Sequence, residues 1–188
     1  MNIYKRRNDM YGINPQIVEY RRKLGLNIGE HWQMMTAGFV WFLADQARIV
    51  ALQSSLSYRV FPVGCALLAF NPDAFHYEQV HKVFRGANMK IGKSNPKICA
   101  EQVAINAARS EGYKLIVGMA IAANVQPDDK SGLVSKTLHP CCDCRESFKI
   151  LPEIRPDMRI ISVHLEDDGI FEEYSVEELW AMHDCIKN

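Results

Sequence analysis

The sequence predicts an α/β protein, a three-layer α/β/α domain built on one mixed sheet of about five strands. Three observations carry that expectation. Apolar residues recur at helical spacing between Gln33 and Leu56, and a nearly continuous apolar run covers Lys114–Asn124, as a strand buried on both faces requires. Between and beyond them, strand-like and helix-like segments alternate. At 188 residues, 48% hydrophobic and 23% charged, the chain is long enough to bury a core as one domain.

Residues 1–32 read as an amino-terminal extension and residues 33–188 as the domain itself. In the extension, Pro15–Leu24 suits a short helix ending at Gly25, with Arg21, Arg22 and Lys23 on a solvated face. The helix over Gln33–Leu56 sets Phe39, Phe42, Leu43, Ala47, Val50 and Ala51 on a core-facing stripe, aromatic residues included. Arg59–Phe70 is rich in β-branched and apolar residues and reads as a strand, with Pro62 near its start or on an edge. Asn71-Pro72-Asp73 then turns the chain.

Val80–Asn88 is the second strand, Cys99–Gly112 a helix closed by glycine, and Lys114–Asn124 the buried strand. After a polar loop around 127–132, a helix starts beside Cys141 and runs to Ile150. Arg159–Leu165 is a strand, Asp167-Asp168-Gly169 a turn and Ile170–Tyr174 a short strand. The last element is a helix over Ser175–Cys185, with Ser175 as N-cap and Glu178 completing a capping box.

Charge narrows the function. With 22 basic and 22 acidic residues and a pI near 7.0, the chain carries no general field for coating a nucleic acid, so a small-molecule partner is expected. No run approaches the roughly 18 to 20 apolar residues that cross a bilayer, so no membrane partner is expected. The basic residues near Met1 are not followed by the apolar core of a secretory signal, and the expected location is cytoplasmic. Three of the six cysteines crowd into positions 141–144, which in a reducing compartment suggests metal binding or catalysis more than disulfides.

Cys141 and Cys144, three residues apart at a helix start, can turn both sulfurs toward one point, and Cys99 at another helix start supplies a third. Positive helix N-termini favour the thiolate forms. The expected cofactor is Zn²⁺, and three protein ligands leave one tetrahedral position for water, the arrangement of a catalytic site. Glu101, two residues beyond Cys99, is placed to exchange protons with such a water. Cys142 competes as a ligand, but the spacing favours Cys144. Cys65 and Cys185 read as packing residues, and His139, just before Pro140, reads as a loop-exposed side chain.

Cys99-Ala100-Glu101 followed by Pro140-Cys141-Cys142-Asp143-Cys144 resembles the zinc signature of the cytidine deaminase superfamily. Phe61-Pro62-Val63-Gly64 is similar to that family's Phe-Pro-Val-Gly strand, and Phe84-Arg85-Gly86-Ala87-Asn88 to its Gly-x-Asn strand. The resemblance runs from about Phe39 to Trp180. It implies zinc-dependent hydrolytic deamination of a free cytosine nucleoside or related aminopyrimidine, releasing ammonia, with Glu101 moving protons. It also implies substrate contacts from Phe61 on the base, from Asn88 on the sugar and from Ala100, and a homo-oligomeric assembly, dimer or tetramer.

A cysteine as first ligand resembles the free-nucleoside branch more than the polynucleotide-editing branch. Two departures bear on substrate. Lys90 stands where those enzymes commonly place a glutamate that grips the sugar, and a cation cannot accept that hydrogen bond. Lys90 either meets an anionic group on the substrate or points to solvent. Gln102 stands where an arginine commonly follows the catalytic glutamate, so Arg145 and the two helix N-termini are the candidates for offsetting three thiolates. Blasticidin-type deaminases resemble this chain in lacking that arginine. A rival reading is a zinc-stabilised binding or regulatory domain without turnover, against which the retained Glu101 argues.

Overall fold

The computed structural model describes residues 37–53, 61–71, 73–74, 80–90, 97–124 and 136–182, all within the unit Ala37–Asn188. The expected helix at Pro15–Leu24, the loop around 127–132 and Cys185 lie outside these residues. Helix α1 spans Ala37–Gln53, and strands β1 (Val63–Phe70) and β2 (His81–Ala87) follow. Next come β3 (Met89–Lys90), β4 (Lys97–Ile98), α2 (Ala100–Ser110) and β5 (Leu115–Ala123). The order closes with α3 (Cys142–Ile150), β6 (Arg159–His164), β7 (Phe171–Ser175) and α4 (Val176–Met182).

Five strands form one mixed sheet in the order β2-β1-β5-β6-β7. β1 runs antiparallel to both β2 and β5, β5 and β6 are parallel, and β7 returns antiparallel to β6. The parallel pair needs a long crossover, and α3 lies within it. Alternate residues of a strand face opposite sides, and here each side has its own helices. Cys65, Leu67 and Ala69 of β1 share a core with Ala104 and Ala108 of α2, Phe148 of α3 and Leu179 of α4. Gly64 faces the other way, toward α1, because a Cβ there would stand 1.9 Å from the Ala47 carbonyl oxygen. The three-layer α/β/α expectation therefore holds.

Two features differ from the sequence reading. The buried stripe of α1 is Leu43, Ala44, Ala47, Arg48 and Ala51, whereas Phe42 is 46% exposed. The reason lies in the sheet: Gly64 pairs with Ala122 and Ala66 with Ala120, and over this flat patch the helix comes so close that Ala47 and Ala51 are the residues set against Gly64. Arg48 is buried within this stripe, where its Nε donates to the His164 carbonyl at 3.0 Å and Nη1 pairs with Asp168 at 2.9 Å. The second difference is a small antiparallel ribbon, β3 with β4, outside the main sheet. At two residues each, these strands carry no periodicity to read.

Helix ends follow local chemistry. Gly112, at φ +81°, closes the turn after α2. At α4 the Ser175 N–H donates to Glu178 Oε2 at 2.6 Å and the Glu178 N–H donates to Ser175 Oγ at 3.0 Å, the capping box the sequence predicts. Among the described residues no helix is long and apolar enough to cross a membrane.

Gly86 is the position in the fold that bears most directly on the site. It faces α2, and a Cβ there would lie 2.3 Å from the Ala100 carbonyl oxygen and 2.7 Å from the Ala104 nitrogen, both backbone atoms that cannot swing aside. Gly86→Ala is expected to cost about 1–3 kcal/mol or more by forcing α2 off the sheet. Urea unfolding checks this, and a midpoint equal to wild type would contradict the packing described.

Candidate metal centre

The two halves of the centre are helix starts. Cys99 is the N-cap of α2 and Cys141 the N-cap of α3, both with extended backbone, and Cys144 lies in the first turn of α3. A cap residue with extended backbone sits off the helix, so its side chain can turn toward a neighbouring element. The sulfurs of Cys99, Cys141 and Cys144 all lie within 4.8 Å of one another, and those of Cys99 and Cys141 are 3.4 Å apart. Thiolates at about 2.3 Å from a tetrahedral zinc stand roughly 3.8 Å from each other, so the cluster has the size this ion needs. Cys144 is buried, Cys99 half-buried and Cys141 exposed, which leaves one side of the cluster open.

The sulfurs share charge as a unit. Hydrogen bonds from Cys144 and then Cys99 pull the Cys141 thiol down to about 2, helped by backbone amides at the start of α3. The hydrogen bond to Cys141 pushes Cys99 up to about 12, and Cys144 is raised in the same way. Without a cation, one thiolate is held by two thiol donors; a divalent cation lets all three ionise.

Glu101, in the first turn of α2, is only 4% exposed. Burial pushes its carboxyl up to about 7, and the Cys141 thiolate adds to the rise, while hydrogen bonds from its own backbone and from Cys144 oppose it. The carboxyl thus sits against the cysteine cluster in a dry setting. Cys65, buried in β1, is raised by burial and then by the Glu101 charge, consistent with the packing role expected for it. Cys142 lies outside the sulfur cluster: it is exposed, and its Sγ accepts from Arg145 Nη2 at 2.9 Å. Arg145 itself is buried beneath the start of α3.

On the expected substrate side, Phe61 is half-buried and packs against the core. Asn88 clips that segment to the end of β2: its Nδ2 donates to the Phe61 carbonyl at 2.8 Å and its Oδ1 accepts from the Val63 N–H at 3.0 Å. Those two bonds use one donor and one acceptor of the amide and leave one of each. Ala100 is fully buried where α2 meets Gly86. Lys90 pairs with Lys97 in the small ribbon, and its side chain lies outside the described residues.

His139 corrects the sequence reading. It is not loop-exposed: its Nε2 lies 3.3 Å from Glu172 Oε2, and its ring stands edge-on to Tyr174 with centroids 4.9 Å apart. Glu172, Tyr174 and Thr137 were not singled out from sequence, because a contact across 35 residues, such as Thr137 with Glu172, leaves no local spacing to find.

Three cysteines brought together at two helix starts on this α/β/α fold make a site able to hold a metal ion such as zinc. Residues 42–154 match the family model described as the cytidine and deoxycytidylate deaminase zinc-binding region, more than half of the chain, and the chain belongs to that family. Zinc is accordingly its cofactor, and Cys99, Cys141 and Cys144 are the residues able to hold it. A protein of Dictyostelium discoideum named a probable cytidine deaminase is 33% identical over 89 residues, 47% of this chain and 49% of that protein. The match thus spans about half the length of that relative. The crystal structure of cytidine deaminase from Burkholderia pseudomallei aligns with a TM-score of 0.56 at 22% identity, covering 77% of this chain and 96% of the other, a likeness of fold.

Proposed function

We propose that this protein is a zinc-dependent hydrolase that deaminates a free cytosine nucleoside or a related aminopyrimidine, releasing ammonia. The observation that carries the reading is Glu101, a buried carboxyl two residues past Cys99 and within hydrogen-bonding reach of Cys144. A closed structural zinc site takes four protein ligands and has no use for a proton carrier, whereas among the described residues three cysteines converge here. Zinc supplies the Lewis acidity that makes a water nucleophilic at neutral pH. Glu101 would take one proton from the water as it adds to the ring carbon bearing the amine and pass it to the ring nitrogen, then take the second from the resulting hydroxyl and pass it to the departing amine. The C–N bond breaks, ammonia leaves and the ring becomes a lactam. Burial, which raises this carboxyl, favours its holding a proton between the two transfers.

Around it, Phe61 covers the base, Ala100 lets the ring approach the start of α2, and the remaining donor and acceptor of Asn88 meet the sugar. Lys90, at the end of the Asn88 segment, selects a substrate with an anionic group near the sugar position. The protein works in the cytoplasm as a homo-oligomer on a small molecule, with no nucleic acid or membrane partner. The balanced charge supports a partner other than nucleic acid, and the name of the Dictyostelium relative supports a small nucleoside substrate.

The test is ammonia release by zinc-quantified protein across cytidine, deoxycytidine, CMP and modified cytosine nucleosides. Turnover on at least one is expected, and preference for CMP or a carboxylated nucleoside would support the role of Lys90. Thermal shifts with these ligands and no ammonia would instead indicate a domain that binds without turnover.

A further inference from the structure

We propose that Glu172 of β7 is a positioning residue for the metal centre, its carboxylate fixing the 137–139 segment that delivers Cys141 and Cys144. The inference rests on the zinc-site reading above. Residues 136–140 form no helix or strand, so their own backbone cannot hold them in register. Yet Cys141 must bring its sulfur to within 3.4 Å of one carried by a different helix start.

Glu172 supplies a restraint from the sheet. One oxygen, Oε2, accepts from the Thr137 N–H at 3.1 Å and from Thr137 Oγ1 at 2.5 Å, and lies 3.3 Å from His139 Nε2. Thr137 is buried, so its polar groups need partners inside the protein, and a carboxylate makes the strongest kind. Two residues along the same strand, hence on the same face, Tyr174 receives the His139 ring. The Tyr174 hydroxyl in turn hydrogen-bonds Ser162 of β6, which ties that ring to the sheet. Pro140, fully buried with a backbone angle fixed by its ring, carries this placement directly to Cys141. The sheet therefore sets the position of the second half of the zinc site through side chains of β7. Groups that orient ligands from outside a metal's coordination shell typically matter 10 to 100-fold in affinity.

The experiment compares wild type with Glu172→Gln, Thr137→Val and Thr137→Ser in the full chain. Two quantities are read: the rate at which bound zinc passes to a chromogenic chelator, and the thiolate-to-metal absorption of the cobalt-substituted protein. Glu172→Gln is expected to lose zinc at least about tenfold faster and to shift the cobalt spectrum. Thr137→Val should move both in the same direction, and Thr137→Ser, which keeps the hydroxyl, should restore them. Wild-type transfer rate and spectrum in Glu172→Gln, whatever its melting temperature, would overturn the proposal by making Glu172 a stability residue only. Where Glu172→Gln does not fold, the Thr137 pair decides on the same readouts. Wild type that takes up neither zinc nor cobalt stoichiometrically would overturn the metal reading, and this inference with it.

Discussion

Replacing Glu101 by glutamine is expected to lower turnover by about 10²–10⁴-fold on whichever nucleoside the protein deaminates, with stoichiometric zinc still bound. The two halves of that result separate the roles at the site. The carboxyl is not among the three converging sulfurs, so its loss leaves the metal's ligands intact. It is the one buried carboxyl beside them among the described residues, so its loss removes the proton carrier. Zinc content measured alongside kcat distinguishes this from collapse of the centre, and loss of zinc with loss of turnover would make Glu101 a structural support instead. The variant should also show what the wild type gives up in stability. Burial raises the Glu101 carboxyl from 4.5 to about 7, so this group binds more protons in the folded chain than in the unfolded one across that window. Its own contribution to the stability of the metal-free protein therefore falls as pH rises through it. Glutamine cannot ionise, so the metal-free variant should melt at or above wild type near neutrality, and the difference should shrink toward pH 4.5. A variant less stable than wild type at neutral pH would mean that the charged carboxylate is satisfied in the fold.

What the sequence disclosed depended on how local each signal is. The capping box at Ser175 and Glu178 is a three-residue spacing, and the structure has both of its hydrogen bonds. The metal set was legible for the same reason: Cys141 and Cys144 are one turn apart, and Cys99 opens its own helix. The stripe of α1 differs from the sequence reading because hydrophobicity ranks Phe42 above Ala44, while the close approach of the helix to the patch of Gly64, Ala66, Ala120 and Ala122 favours small side chains there. That face is a property of strand register, which no single segment reveals. Glu172 escaped notice because its partners Thr137 and His139 reach it from a loop 33 to 35 residues away in sequence. Asn88 was legible as a site candidate, but its grip on the Phe61 carbonyl and the Val63 amide appears only once β1 and β2 are paired.

Cys144→Ala is expected to abolish both stoichiometric zinc and activity, whereas Cys142→Ala keeps both. The neighbouring pair makes this the sharpest test of the ligand set, since the two thiols differ by two positions and by nothing in chemistry. On a helix, residues three apart share a side and residues one apart do not. Cys144 can therefore join Cys141 above the start of α3 while Cys142 turns away. The structure agrees: Cys144 is buried with its sulfur within 4.8 Å of those of Cys99 and Cys141, and Cys142 is exposed with its sulfur accepting from Arg145. Zinc binding of about 10–16 kcal/mol spread over a ligand set assigns each of three thiolates roughly 3–5 kcal/mol, so losing one weakens binding by about 10²–10⁴-fold. Losing Cys142 removes only one acceptor from Arg145, a change of about 1 kcal/mol in stability. Atomic absorption on the two purified variants reads the outcome. Zinc retained in Cys144→Ala and lost in Cys142→Ala would require the start of α3 to be shifted by two residues from where the structure has it, since that shift is what puts Cys142 in the place of Cys144.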